Sequence, residues 1–216
     1  MTFADQFAPH HLLADALLPH AFDRSDAAHD KAHLARVWRN VQMIRQGEGG
    51  DEAILAAATL LHDCVTLPKD DPDRASASLR SADRAAGLLA PLGWPSDRIA
   101  AVHHAIAAHS FSAGLPCDTL EARILQDADR LDALGHIGIA RCFQVSGQLG
   151  RALYDPDDPG AEGRPPDDLT YALDHFETKL LRLADSFQTA TGQRLARARH
   201  DTIRAFRDGL LAELGA

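Results

Sequence analysis

Nine consecutive residues, Ala53-Ile54-Leu55-Ala56-Ala57-Ala58-Thr59-Leu60-Leu61, carry almost no polar face, and they run directly into His62-Asp63. The capping-type residue Asp51 precedes the run. A helix that is apolar on every side has to be surrounded on every side, so the remaining elements must wrap around residues 51–63. Two ionisable groups at the end of such a helix are a problem for the fold. An unpaired carboxylate is costly to bury, so it is normally paired or bound to a cation. Imidazole and carboxylate are common ligands for divalent metals. The plain alternative is a hydrogen-bonded core histidine followed by the start of a polar loop.

Strand formers are scarce while Ala, Leu, Arg and Asp dominate, which favours an all-α chain. At 216 residues the chain is expected to form a single domain over 1–216, long enough for a sizeable core. The formal net charge of −9 argues against extended nucleic acid or an anionic membrane as a partner. It leaves room for a small anionic ligand held by a metal and local cations. The cysteines, Cys64, Cys117 and Cys142, are odd in number and show no CxxC spacing, so neither a disulfide framework nor a zinc knuckle is indicated. No apolar run approaches membrane-spanning length, and Asp5, His10 and Asp15 do not suit a signal peptide. A reducing, cytoplasmic location is expected.

In chain order, residues 1–24 read as a short N-terminal cap, interrupted by Pro9 and Pro19. Ser25 or Asp26 should cap a helix over about 27–46, stopped by Gly47-Glu48-Gly49-Gly50. On it His29 and His33 share a face, which Arg36 and Asn40 extend. They form either a solvated stripe or one wall of a site. The loop after His62-Asp63 contains Lys69. A helix over 73–90 follows, with Arg80 on its polar side, and then one over 96–109 that ends in His109. His103 reads as a surface histidine, and His109 as either a surface group or a cleft residue.

A near capping box, Asp118-Thr119-Leu120-Glu121, opens a helix expected to run through Leu134. Asp129, Asp132 and His136 fall at i, i+3 and i+7 and so line one face, whereas Asp127 lies about 200° from Asp129. Residues 137–153 continue helically, and 154–168 read as a mobile loop or lid. Leu169, Leu173, Phe176, Leu180, Leu183 and Phe187 have the cleanest helical spacing in the chain. That spacing predicts a helix over 169–187, with His175, Lys179 and Arg182 as a basic stripe for phosphate or for solvent. A last helix is expected over about 192–214.

Three separate helices thus offer His33, His62 with Asp63, and Asp129. Two imidazoles and two carboxylates make a set of charge near −2, suited to Mn²⁺, Ni²⁺, Fe²⁺ or Mg²⁺; Zn²⁺ is possible but would lack thiolate. Arg36, Lys69, Arg80 and Lys179 could neutralise an anionic substrate.

The order His33, His62-Asp63, Asp129 resembles the H…HD…D signature of HD-domain metal-dependent phosphohydrolases. Five segments, 29–37, 109–112, 126–135, 137–141 and 175–181, are similar to a bacterial stand-alone subgroup that includes a nucleoside-triphosphate pyrophosphohydrolase. The resemblance covers about 29–206. It implies a compact all-helical HD bundle with two C-terminal helices packed on it. It also implies one divalent metal, Mn²⁺ first, on His33, His62, Asp63 and Asp129. The implied reaction is attack on phosphorus by water activated at the metal, releasing a nucleoside monophosphate and pyrophosphate. Monophosphatase or phosphodiesterase chemistry on the same site, or a non-hydrolytic nucleotide-binding module, are the alternatives. Beside the signature, faces and spacing suggest Asp63, His109 and Asp132 as catalytic groups. The same reasoning suggests His29, Arg36, Lys69 and Lys179 for substrate phosphates. His136 stands where the subgroup would have a small residue. The expected partner is a small anionic nucleotide, and the expected state is monomer or homodimer.

Overall fold

The computed structural model describes residues 2–22, 30–67, 71, 73–110 and 113–215. Among these residues the chain is all-helical, with no strand beyond one isolated bridge between Ala152 and Tyr171. The chain divides into two compact units, Met1–Asp129 and Arg130–Ala216.

The first unit holds α1 (His11–Leu17), α2 (Lys31–Glu48), α3 (Glu52–Leu61), α4 (Ala77–Leu89), α5 (Ser96–His109) and most of α6 (Leu120–Leu131). The apolar run is α3. Every residue from Ile54 to Leu61 is buried, and α1, α2, α4 and α5 pack around it. Full burial of Leu55, Leu60 and Leu61 stabilises the fold by about 1.5–3 kcal/mol per side chain. The Asp51 carboxylate accepts from the N–H groups of Ala53 and Ile54 at 2.9 and 3.1 Å, satisfying two donors that helix geometry leaves free. Gly49 and Gly50, with φ of +86° and +97°, make the reversal between α2 and α3; a β-carbon on Gly50 would lie 3.2 Å from Ile124 Cδ1. Phe7 stacks on Trp38 with ring centroids 5.0 Å apart, and Trp38 Nε1 donates to the Gln6 carbonyl.

Several boundaries differ from the sequence expectation. α2 begins at Lys31 and its cap is Asp30, whose carboxylate accepts from His33 N–H at 2.9 Å; Ser25, Asp26 and His29 lie outside the described residues. α6 stops at Leu131 rather than Leu134, and α7 (Gly135–Gln148) opens on a left-handed Gly135. His136 is therefore on a different helix from Asp129, and the three-residue face through Asp129, Asp132 and His136 does not exist. A β-carbon on Gly138 would meet the Ala133 carbonyl oxygen at 2.2 Å, so only glycine fits the first turn of α7.

The second unit contains α7, α8 and α9 (Ala190–Leu214). The expected helix over 169–187 is much shorter. α8 starts with helical winding at 174–175, runs as a wide π-wound turn over Phe176–Leu180 and continues as an α turn over Leu181–Leu183. Residues before it spend their backbone groups elsewhere. Ala172 N–H donates to Ala152 O at 2.8 Å and Leu173 N–H to Leu153 O at 3.0 Å, while Asp167 accepts from Leu169 N–H. A backbone donor committed to another segment cannot serve a helix. Leu169, expected inward, is 77 % exposed.

Residues 154–168, read in the sequence as a mobile loop, are organised around Arg164. Its guanidinium grips both carboxylate oxygens of buried Asp174, reaches Asp155 at 3.0 Å and lies over the Tyr171 ring. The Asp158 carboxylate accepts from Glu162 and Gly163 N–H, both at 2.9 Å.

Candidate metal centre

All five groups in the first unit's polar cluster lie at the ends of helices, four of them at C-terminal ends. His33 stands in the first turn of α2, where its own backbone N–H is held by Asp30. His62 and Asp63 follow the last turn of α3, His109 ends α5, and Asp129 lies in the last turn of α6. The C-termini of α3, α5 and α6 each carry partial negative charge, so their common direction favours a cation.

The donor atoms converge. His33 Nε2 is 3.3 Å from His62 Nε2, 3.6 Å from Asp129 Oδ1 and 4.0 Å from Asp63 Oδ2. His62 Nε2 is 3.4 Å from Asp63 Oδ2 and 3.9 Å from Asp129 Oδ1. The second carboxylate oxygen of Asp63 faces the other way, 3.6 Å from His109 Nε2. Both histidine rings are buried at the α3 and α2 positions, while Asp63 and Asp129 are partly open to solvent.

The tautomer of His62 follows from its other nitrogen. Nδ1 lies 2.8 Å from the Thr59 carbonyl, which can only accept, so Nδ1 carries the proton and Nε2 presents a lone pair. That lone pair points among carboxylate oxygens and a second imidazole nitrogen. Such an arrangement is repulsive by itself and becomes favourable around a divalent cation, so the donor set fits a metal. Burial pushes the His62 ring below its usual range, toward the neutral form a ligand needs, and outweighs the opposing pull of Asp63. His109 is fixed in the same manner, Nδ1 to the Ile106 carbonyl. Burial alone would lower it too, but its hydrogen bond to the Asp63 carboxylate and that group's charge raise it overall. The two buried imidazoles are therefore driven in opposite directions.

The remaining expected residues are placed as follows. Arg36 is half-buried on α2, one turn after His33. Lys179 is exposed on α8 in the second unit, and His29 and Lys69 lie outside the described residues. Arg80 pairs with Asp73, and His103 with Asp83, both at the surface. Asp132 is buried just beyond α6 and bonded to the Arg141 guanidinium. Arg141→Met is expected to cost about 1–2 kcal/mol in urea unfolding, since it removes a charge-assisted hydrogen bond to a buried carboxylate from a guanidinium that is itself partly solvated. A change below 0.5 kcal/mol would show that other groups hold Asp132. His136 is exposed. His175, expected on a basic stripe for phosphate or for solvent, bonds Asp168 at 2.8 Å. None of the three cysteines forms a disulfide, all three are buried, and burial pushes the Cys142 thiol up to about 11. Among the described residues no helix is long and apolar enough to cross a membrane.

This geometry coincides with a family. Residues 31–134 match the HD domain. The curated relative YpgQ of Bacillus subtilis (strain 168) is 34% identical over 185 residues, covering 83% of this chain and 82% of its own. The chain therefore belongs to the HD-domain family, within the HD-superfamily hydrolases. Solved structures agree. An HD-superfamily hydrolase from Bacillus thuringiensis superposes with a TM-score of 0.73 at 29% identity, covering 100% of both chains. B. subtilis YpgQ, solved in complex with ADP, gives 0.71 at 32% identity, over 93% of this chain and 97% of that one.

Proposed function

We propose that this protein is a metal-dependent phosphohydrolase acting on nucleotides, cleaving a nucleoside triphosphate to the monophosphate and pyrophosphate. The observation that carries the reading is the convergence of His33 Nε2, His62 Nε2, Asp63 Oδ2 and Asp129 Oδ1, with the His62 lone pair fixed by Thr59. These four residues would hold the ion, and Mn²⁺ is the first candidate for a set of two imidazoles and two carboxylates. When bound, such an ion lowers the pKa of water and polarises a phosphoryl oxygen. The ADP complex of B. subtilis YpgQ supports a nucleotide as the ligand class.

Within this reading Asp63 serves two partners. One oxygen faces the ligand nitrogens; the other faces His109 and keeps that ring oriented. His109 Nε2 is the group we assign to proton transfer, because its Nδ1 is committed to Ile106 and its Nε2 faces Asp63 Oδ1 within the cluster. Asp132, expected as a further catalytic group, is bonded to the Arg141 guanidinium. Arg36 is proposed as a phosphate anchor because it lies one turn from His33 on the same helix. His29, Lys69 and Lys179 are proposed as further substrate contacts.

The test is hydrolysis in Mn²⁺ across nucleoside triphosphates, monophosphates and cyclic dinucleotides, with products separated by anion exchange. Pyrophosphate and a monophosphate in equal amounts are expected. Phosphate as the only small product would reassign the protein as a monophosphatase. Nucleotide binding without any product would make it a binding module.

A further inference from the structure

Two buried carboxamides are placed just behind the site. Asn40, two turns beyond His33 on α2, is 2 % exposed, and its Nδ2 donates to the Ala128 carbonyl at 2.9 Å. Gln126 on α6 is 3 % exposed, and its Nε2 donates to the Ala108 carbonyl, also at 2.9 Å. Each carbonyl belongs to the residue immediately before a site residue: Ala128 before Asp129, Ala108 before His109. Each also lies in the last turn of its helix, where carbonyls run out of helical partners and accept from side chains instead. An amide interior to a helix would have little influence on neighbouring helices; these two join helices. Asn40 ties the helix bearing His33 to the backbone bearing Asp129. Gln126 ties that same helix, α6, to the end of α5 bearing His109.

We propose that Asn40 and Gln126 are positioning residues that set, respectively, the spacing of two metal ligands and the placement of His109. The inference rests on the metal-centre reading above. Asn40 acts on a ligand and Gln126 on a residue outside the ligand set, so their removal should be felt in different measurements. That difference separates positioning from a general contribution to the core, which would weaken both functions through loss of folded protein.

The experiment uses the full chain, with Mn²⁺ titrated under electron paramagnetic resonance and circular dichroism confirming the folded state. Asn40→Leu, close in size and without a donor, is expected to weaken Mn²⁺ binding by about 10–100-fold. Gln126→Met is expected to leave Mn²⁺ affinity within about twofold and to lower kcat on a nucleoside triphosphate by about tenfold at little-changed KM, as a displaced proton carrier would. If Asn40→Leu does not fold, Asn40→Ala repeats the titration with the donor removed and a smaller side chain in its place. Wild-type Mn²⁺ affinity in the folded Asn40 variant overturns the inference while leaving the metal reading intact. Equal weakening of Mn²⁺ binding in the Asn40 and Gln126 variants overturns it as well. A wild-type chain that binds no Mn²⁺ overturns the metal reading and the inference together. A chain that binds Mn²⁺ but hydrolyses no nucleotide overturns the Gln126 half with the hydrolase reading, and the titration alone then decides Asn40.

Discussion

Asp63→Ala is expected to leave the protein folded, empty of metal above background by elemental analysis, and slower in nucleotide hydrolysis by about 10³-fold, roughly 4 kcal/mol of transition-state stabilisation. The size of the effect follows from the two faces of one carboxylate. Oδ2 is 3.4 Å from the His62 lone pair and Oδ1 is 3.6 Å from His109, so a single substitution removes a ligand and unseats the proton carrier. Folding should survive because Asp63 follows the last turn of α3 and is partly solvated, and no packed volume is lost behind it. His109→Gln separates the two contributions. It is expected to retain the metal while losing about 10²-fold in kcat, the range for removal of a general acid. Full metal occupancy in Asp63→Ala would contradict the ligand set, and loss of metal in His109→Gln would place His109 within it.

The elements of this site differ in how visible they were in the sequence. His62-Asp63 stood out because polar groups at the end of an all-apolar helix demand a partner, and α3 is indeed buried throughout. His33 and Asp129 followed from the signature order. The carboxamides did not. Asn40 was legible as an extension of the His33 face, but its partner is a backbone carbonyl 88 residues away, and backbone carbonyls leave no mark in a sequence. The tautomer of His62 was hidden for the same reason, since Thr59 acts through its main chain. The helical phase around Asp132 misled in the opposite way. Three acids in an apolar context suggested a shared task, and helical phase was extended through Leu134 to include His136. The left-handed Gly135 breaks that phase, and Arg141, nine residues on, takes Asp132 instead.

The same limit of periodicity yields the second large prediction. An uninterrupted helix over 169–187 would bury Leu169 and Phe176 alike, and their truncation would cost comparable amounts. In the structure Phe176 is fully buried and meets Phe143 and Phe206 with ring centroids 5.9 Å from each, whereas Leu169 projects into solvent. Phe176→Ala is therefore expected to cost about 3–5 kcal/mol in urea unfolding, combining lost transfer energy with a cavity that three converging elements cannot close. Leu169→Ala should fall within about 0.5 kcal/mol of the wild type. Equal costs would restore the continuous helix. The physical source of the difference is the backbone between them: pairing of Ala172 and Leu173 with the 152–153 segment consumes donors a helix would need, so apolar spacing is present without helical hydrogen bonds to express it. Ala152 is exposed, so substituting it by proline would leave the buried core untouched, yet it removes the N–H that donates to Thr170 O at 3.0 Å. If that pairing holds the segment out of the helix, the Leu169–Phe176 contrast should narrow in the Ala152→Pro background.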